Sequence, residues 1–292
     1  MGPCVRQLRA VMTCFNRRAL TLDCLDRFFA NQVDGLMLAA IVVDDGSSDG
    51  TGDAICDRFG PRVQVIRGDG NLYWNGGMRV AMSRAMQDDA DFILWLNDDT
   101  MIQPDAVAVM VRAHDDFVCR GDNAAIIAAA IADPVSGQLS YTGMRRIGSR
   151  WRPLAITRVE PGEEPQRCDT MNGNCVLLPR AVWQRLQNLD AGFAHGLGDF
   201  DYGLRATAMG IPILLAPGLL GSCPRNSDRG SFKDANLSLA ERWQAITGRK
   251  GLPMREWAIY AKRHGGKLWP LYWIWPYLKV LLVGIRNHGT TQ

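Results

Sequence analysis

Leu94-Trp95-Leu96-Asn97-Asp98-Asp99-Thr100 is an apolar run that ends abruptly in an amide and two carboxylates, with Pro104 starting a helix just beyond. The pattern predicts a buried strand whose C-terminal end delivers oxygen atoms to one point, the edge at which open α/β sheets bind their ligands. Hard oxygen ligands in a short cluster suit Mg2+ or Mn2+, held through one or two carboxylates together with substrate phosphates. The alternative is a polar turn capping a strand, since Asn and Asp favour turns. The remaining motifs decide between the two.

Working outward, Val11 to Phe15 is β-prone and stops at Asn16-Arg17-Arg18, and a helical pattern follows through Leu20, Leu22, Leu25, Phe28 and Phe29. Ala39 to Val43 is a second strand. It too ends in carboxylates, within Asp44-Asp45-Gly46-Ser47-Ser48-Asp49-Gly50-Thr51, where Asp49 or Ser48 can cap a helix over Thr51 to Phe59. Val63 to Ile66 is a third strand, Gly76-Gly77 opens a helix through Ala85, and Phe92 to Leu96 is the fourth strand. Strand alternating with helix in this way is the signature of parallel βαβ units. Every strand exit is polar, which aligns the exits along one sheet edge. Further strands are expected over Ala124 to Ile131, Cys175 to Leu178 and Ile211 to Ala216, with a hairpin turn at Asp133-Pro134-Val135-Ser136-Gly137 and helices starting at Pro179 and Asp199. Ser140 to Pro165 reads as a long irregular loop, with Arg145, Arg146, Arg150 and Arg152 around Trp151, and loops of that length are usually functional or mobile.

Composition narrows the function. With 292 residues, 47% hydrophobic and 22% charged, the chain can bury a sizeable core. A net charge of only +3 argues against a nucleic-acid binder. The 8 cysteines include no C-x-x-C pair, which disfavours zinc ribbons and redox motifs, and their scatter fits free thiols in a reducing compartment. Met1 to Ala10 carries charges with no apolar stretch behind them, so a cytoplasmic protein is expected. From Glu241 the chain changes character, becoming basic and ending in an aromatic run from Leu268 to Leu278 with Lys279 beyond. Two prolines and the Trp/Tyr concentration fit a segment lying at the cytoplasmic face of a membrane better than one crossing it. The alternative is a helix pair packed on the domain, or on a second subunit in a homodimer.

Three carboxylate clusters, Asp44-Asp45, Asp98-Asp99 and Asp199-x-Asp201, stand at expected strand or helix ends. Paired carboxylates repel one another unless a cation or a proton is shared, which favours a functional site over unrelated turns. No G-x-G-x-x-G follows the first strand and no G-x-x-x-x-G-K-[ST] occurs, which disfavours dinucleotide oxidoreductases and P-loop NTPases.

The ordered set Val11-Met-Thr-Cys-Phe-Asn-Arg17, Val42-Val-Asp-Asp-Gly-Ser-Ser-Asp-Gly-Thr51, Asn75-Gly-Gly-Met, Leu96-Asn-Asp-Asp-Thr100 and Gly198-Asp-Phe-Asp-Tyr-Gly-Leu-Arg205 resembles family 2 glycosyltransferases over about residues 8 to 225, most of all a bacterial rhamnosyltransferase-type branch. The resemblance implies the GT-A fold, a Rossmann-like, mostly parallel sheet with helices on both faces, over residues 1–240. Residues 241–292 would form a helical appendage. It implies an inverting, metal-dependent transfer from a UDP- or dTDP-sugar to a hydroxyl of a lipid-linked surface glycan, in polysaccharide biosynthesis, with Mg2+ or Mn2+ as cofactor. Thr13, Asn16 and Arg17 would line the nucleotide pocket. Asp44 would accept the N3–H of the base, with Asp45 nearby, unless the two form a helix-cap cluster. Asn75 and Gly76 would approach the ribose and diphosphate, and Trp74 would wall the donor sugar or simply be core. Asp99 corresponds to the metal carboxylate and Asp98 to the middle of its motif. Asn97 replaces the commoner first Asp and keeps only a carbonyl oxygen. Asp199 aligns with the general base, a role compatible with capping its helix. The usual Glu before it is Gly198 here. On the acceptor side, Asp201 would orient the acceptor or the base, Arg205 would pair with Asp201 or reach a phosphate, and His195 is a candidate acceptor-site group, although a lone His is more often structural. The family's His near the end of the domain is absent; Gly221-Ser-Cys-Pro-Arg225 stands there, so Arg225 would reach the diphosphate and Cys223 is a poor ligand for Mg2+. A sugar nucleotidyltransferase is the rival enzyme, but it would carry a glycine-rich loop after the first strand. A non-catalytic nucleotide-sugar or membrane-binding module is the other rival, with no reason to keep three converging carboxylate clusters.

Overall fold

The structure, a computed structural model, describes residues 5–88, 90–148, 151–225, 228–234 and 236–288, with the backbone alone over 283–288. Cys4, Arg150 and the last four residues of the C-terminal segment lie outside the described residues. The chain opens as β1 (Arg6–Cys14), α1 (Arg18–Ala30), β2 (Leu36–Asp44), α2 (Thr51–Phe59), β3 (Val63–Arg67), α3 (Tyr73–Ala85) and β4 (Phe92–Leu96). β5 (Met101–Ile102), α4 (Ala106–Cys119), β6 (Ile126–Ala132), β7 (Leu139–Tyr141), β8 (Gly143–Arg146) and β9 (Ile156–Arg158) follow. Then come β10 (Gln166–Cys168), β11 (Thr170–Met171), β12 (Cys175–Pro179), α5 (Arg180–Leu186), α6 (Gly198–Ala208) and β13 (Ile213–Ser222). The C-terminal helices are α7 (Leu239–Thr247), α8 (Met254–His264) and α9 (Trp269–His288).

The large sheet runs β10-β13-β6-β12-β4-β1-β2-β3. β1 pairs in parallel with both β2 and β4, and β12 lies antiparallel between β4 and β6. Strand order reverses between β1 and β4, so a crevice opens beyond their carboxyl ends, the usual ligand position in such sheets. β4 and the Ala10–Met12 centre of β1 are apolar without alternation because both faces are covered. Leu8, Ala10, Met12 and Leu94 pack toward α1, α2 and α4 in one core, while Val11, Ile93 and Trp95 pack toward α3 and α6 in the other.

Two expectations are corrected. Helix α3 begins at Tyr73 rather than at Gly76-Gly77, because the Asp45 carboxylate accepts the backbone N–H groups of Leu72 and Tyr73, both at 3.0 Å, and so fixes its start. The stretch from Ser140 to Pro165 is not a plain loop. β7 returns as a hairpin on β6, and β8 and β9 join β11 in a small second sheet.

The C-terminal segment packs on the domain. A capping box between Ser238 and Glu241 starts α7. Pro276 inside α9 removes the N–H that would have bonded the Tyr272 carbonyl, and the Trp257 indole of α8 donates to that carbonyl instead, at 3.3 Å. No described helix is long and apolar enough to cross a membrane.

Candidate active site

The exits of β1 and β4 meet at the switch point. The Arg17 guanidinium donates to Asp99 Oδ2 at 2.7 Å and to Asp98 Oδ1 at 3.2 Å. Asp98 is 6% exposed, and burial pushes its carboxyl up to about 7 while Arg17 pulls it down and Asp99 pushes it up. On the other side of Asp99, the Cys223 thiol donates to Oδ1 at 3.4 Å. Burial, and then Asp99, raise that thiol to about 12. Arg225 is exposed two residues further on, its backbone N–H held by Asp133 at 3.0 Å.

The carboxylate pair therefore takes a cation, and here the guanidinium is the one it holds. That donor chemistry fits a divalent metal bound through one or two carboxylates, with the remaining ligands coming from substrate phosphates. Among the described residues no cluster of His, Cys, Asp or Glu would cage a metal by itself.

Trp74 connects this point to Asp199. Its indole N–H donates to Asn97 Oδ1 at 2.7 Å, so the amide that replaces the family's first Asp is fixed toward the tryptophan. The Trp74 ring meets Trp95 edge-on, with centroids 6.3 Å apart. It also covers Gly173, where a Cβ would come within 2.6 Å of Trp74 Cζ2 and 3.2 Å of Asp199 Cβ. Gly173 thus lets Trp74 and Asp199 close on the same spot. Its backbone N–H donates to Asp199 Oδ2 at 2.9 Å, and Phe200 N–H donates to Oδ1 at 2.8 Å. Burial raises Asp199 to about 6 against those two bonds. The helix cap is Leu197, with Asp199 inside the first turn, so Asp199 bonds a first-turn N–H without occupying the cap position.

Gly198 has a steric cause. A Cβ there would run into Asn75 Oδ1 and lie 2.8 Å from Asn75 Cγ, so the family's usual Glu has no room. Asn75 itself is fully buried, donating to the Asp190 and Phe193 carbonyls at 2.9 and 2.7 Å. It ties α3 to the loop before α6.

Asp44 and Asp45 are also turned inward. Asp44, 1% exposed, accepts N–H bonds from Ser47 and Gly52 and pairs with Arg67 at 2.8 Å. Asp45 accepts from Gly70, Leu72 and Tyr73. In this structure they form a cap cluster at the starts of α2 and α3. Asn16, at φ 51, holds the same loop from β1 by accepting Ser48 N–H at 2.8 Å. Thr13 packs against Gly77, where a Cβ would meet its hydroxyl, and Gly76 lies partly exposed on the first turn of α3.

Arg205 pairs with Asp201, one of the two arrangements expected for it. Asp201 is fully buried and accepts from Arg205 at 2.9 Å, Arg263 at 2.6 Å and His264 at 2.9 Å. Burial alone would raise it, but those bonds hold it below the ordinary carboxylate range. Arg205 also donates to the Leu186 and Asn188 carbonyls, both at 3.1 Å. The pair locks α6 to α8. His195 stands edge-on to Tyr73, with centroids 6.4 Å apart, and burial, Lys250 and Arg17 all lower its pKa. Gly173, Lys250 and Cys223 border the site without having been selected as ligand-contacting residues from sequence. Only Gly173, in Met171-Asn-Gly-Asn174 before a strand, carried a signal, as a glycine where backbone approaches closely.

The fold is that of the GT-A glycosyltransferases. The glycosyl transferase family 2 model matches residues 10–178, and the chain belongs to that family. A search of curated proteins returned no match. Among solved structures it is similar to GalNAc-T7 with UDP, GalNAc and Mn2+, at a TM-score of 0.60 and 13% identity, covering 89% of this chain and 50% of that one. The chain thus spans about half the length of GalNAc-T7. It is also similar to the mannosyltransferase PcManGT from Pyrobaculum calidifontis in complex with GDP-Man and Mn2+, with TM-score 0.55, 14% identity and coverage of 98% and 76%. A third is S. aureus TarS 1-349 in complex with UDP-GlcNAc, with TM-score 0.55, 11% identity and coverage of 88% and 71%. None of these singles out the rhamnosyltransferase-type branch.

Proposed function

We propose that the chain is an inverting glycosyltransferase moving a sugar from a UDP- or dTDP-sugar to a hydroxyl of a lipid-linked surface glycan, working at the cytoplasmic face of a membrane. The observation that carries this reading is Asp199. It is a partly exposed carboxylate with no cationic partner among the described residues, raised to about 6 and held beside Trp74 one indole away from the Asn97-Asp98-Asp99 motif. A base of that strength is ionised at neutral pH yet takes a proton more readily than an ordinary Asp.

Asp199 accepts the proton of the acceptor hydroxyl as its oxygen forms a bond to the anomeric carbon. The bond from that carbon to the diphosphate oxygen breaks on the opposite face, and its electron pair leaves with the nucleoside diphosphate. Trp74 supplies a flat apolar wall for the sugar ring between the two ends. Arg17 neutralises negative charge at the diphosphate end, moving from the carboxylates to the phosphates. Asp99, with Asp98 behind it, would hold Mg2+ or Mn2+, which supplies further charge neutralisation for the leaving group. The metal-bearing structures of similar fold support this, as does the cation-holding carboxylate pair.

A thermal-shift panel of UDP-, dTDP- and GDP-sugars, run with Mn2+ and again with EDTA, tests the donor. A true donor at a hundredfold excess over Kd stabilises the chain by about 2.7 kcal/mol, and EDTA removes most of that gain. No shift with any sugar nucleotide would overturn the reading.

A further inference from the structure

Helix α9 is apolar on both sides. Tyr277 and Val280 face inward and share a small core with Ile246 of α7. On the opposite side Leu271, Trp275, Leu278 and Leu282 recur at intervals of four and three residues and are 60, 57, 40 and 55% exposed, and Leu268 extends the row just before the helix. A surface helix ordinarily turns charged and polar residues outward. This one turns a leucine and tryptophan stripe outward, and an exposed patch of that kind marks an interaction site.

The stripe continues onto a second element. Trp151, 71% exposed, is held against the helix by the Tyr272 hydroxyl, which donates to its carbonyl at 3.2 Å. Trp151, Arg152, Leu271, Tyr272, Trp275 and Pro276 border one groove of about 460 Å³.

Charge identifies the occupant. From Leu239 to His288 the chain carries nine Lys or Arg against two Glu. One glutamate, Glu241, is taken up in the capping box and the other, Glu256, accepts the Ala194 N–H. Exposed Lys267 precedes the stripe, exposed Lys279 borders it beside Leu278, and Arg152 borders the groove. A second copy on a twofold axis would bring these like charges together with no acid to answer them. An anionic lipid surface answers Lys267, Lys279 and Arg152, and Trp, Tyr and snorkelling Lys are the side chains that settle at headgroup depth.

We propose that the face built from the α9 stripe and Trp151 docks the enzyme in the plane of a bilayer surface containing anionic lipid. The docking does not depend on the sugar-transfer reading, since Asp199 takes no part in it. The full-length chain, its Asp199→Asn variant, the double variant Leu271→Glu/Trp275→Glu and the double variant Lys267→Glu/Lys279→Glu are floated with vesicles. These are made of phosphatidylcholine alone or of phosphatidylcholine with phosphatidylglycerol. The expected result is that wild type and Asp199→Asn float with the phosphatidylglycerol vesicles. Apolar substitution cuts the bound fraction about tenfold or more. Lysine substitution abolishes the preference for phosphatidylglycerol. Thermal unfolding checks that each variant is folded, and these side chains are exposed enough to change without harm to the core. Wild type that fails to float, or folded apolar variants that float undiminished, would overturn the proposal. So would a wild-type dimer in sedimentation that the same apolar substitutions dissociate, because a second copy would then cover the face.

Discussion

Replacing Gly198 by alanine tests how the base is held. A Cβ there would lie 2.8 Å from Asn75 Cγ, against roughly 3.5–4.0 Å for an unstrained carbon contact. Asn75 cannot turn away, because its amide donates to the Asp190 and Phe193 carbonyls at 2.9 and 2.7 Å inside a fully buried site. One partner must therefore move by about 0.7 Å or more, and overpacking on that scale costs about 1–3 kcal/mol. Alanine returns less than about 1 kcal/mol of helix propensity at the first position of α6. The net loss is about 1–2 kcal/mol, a fall of roughly 2–8 °C in the unfolding midpoint. Asp199 is the next residue, so the displacement reaches its carboxylate directly and turnover falls about 10–100-fold. Thermal unfolding, read beside the rate of nucleoside diphosphate release, measures both effects. Asn75→Ala supplies the second arm: in its background the new methyl has room, so the two substitutions couple by about 1 kcal/mol or more. A Gly198→Ala protein with wild-type stability and wild-type turnover would refute the reasoning.

The raised carboxyl of Asp199 sets the acid limb of the reaction: kcat/KM rises with pH through about 6 and levels above it, because the base works only when ionised. A limb near the ordinary aspartate value of about 4 would show that the carboxylate is not desolvated. Asp201→Asn leaves the Arg205 and Arg263 guanidiniums without their shared anion and costs about 3–5 kcal/mol of stability, measured by denaturant unfolding, while donor affinity stays unchanged. Weakened donor binding at unchanged stability would return Asp201 to the substrate side.

The sheet and its polar exits were legible in the sequence because its first strands are short apolar runs that stop at polar residues, at paired carboxylates after β2 and β4. Asp98 and Asp99 were placed at a strand end for the same reason, and Asp199 at a helix start because Asp favours first turns. Other polar residues depended on contacts that spacing does not reveal. Asp201 and Arg205 look like a surface pair one turn apart, yet Arg263 and His264 reach Asp201 from across the fold and make it interior. Asp45 finds its partners in backbone N–H groups 25 to 28 residues away, which no side-chain pattern announces. Asn75 sits in a motif that points to a phosphate, but its amide is closed by two carbonyls of a loop more than a hundred residues later. The small second sheet escaped notice because strands of two to four residues are too short to show a period.

The central claim is that Asp199 is the proton acceptor and that the donor site stands apart from it. Isothermal titration of Asp199→Asn with the donor sugar nucleotide in Mn2+, paired with its rate of sugar transfer, measures this most directly. The account predicts a dissociation constant close to that of the wild type and a transfer rate lower by about 10²–10⁴-fold. Transfer within a few-fold of wild type would contradict it.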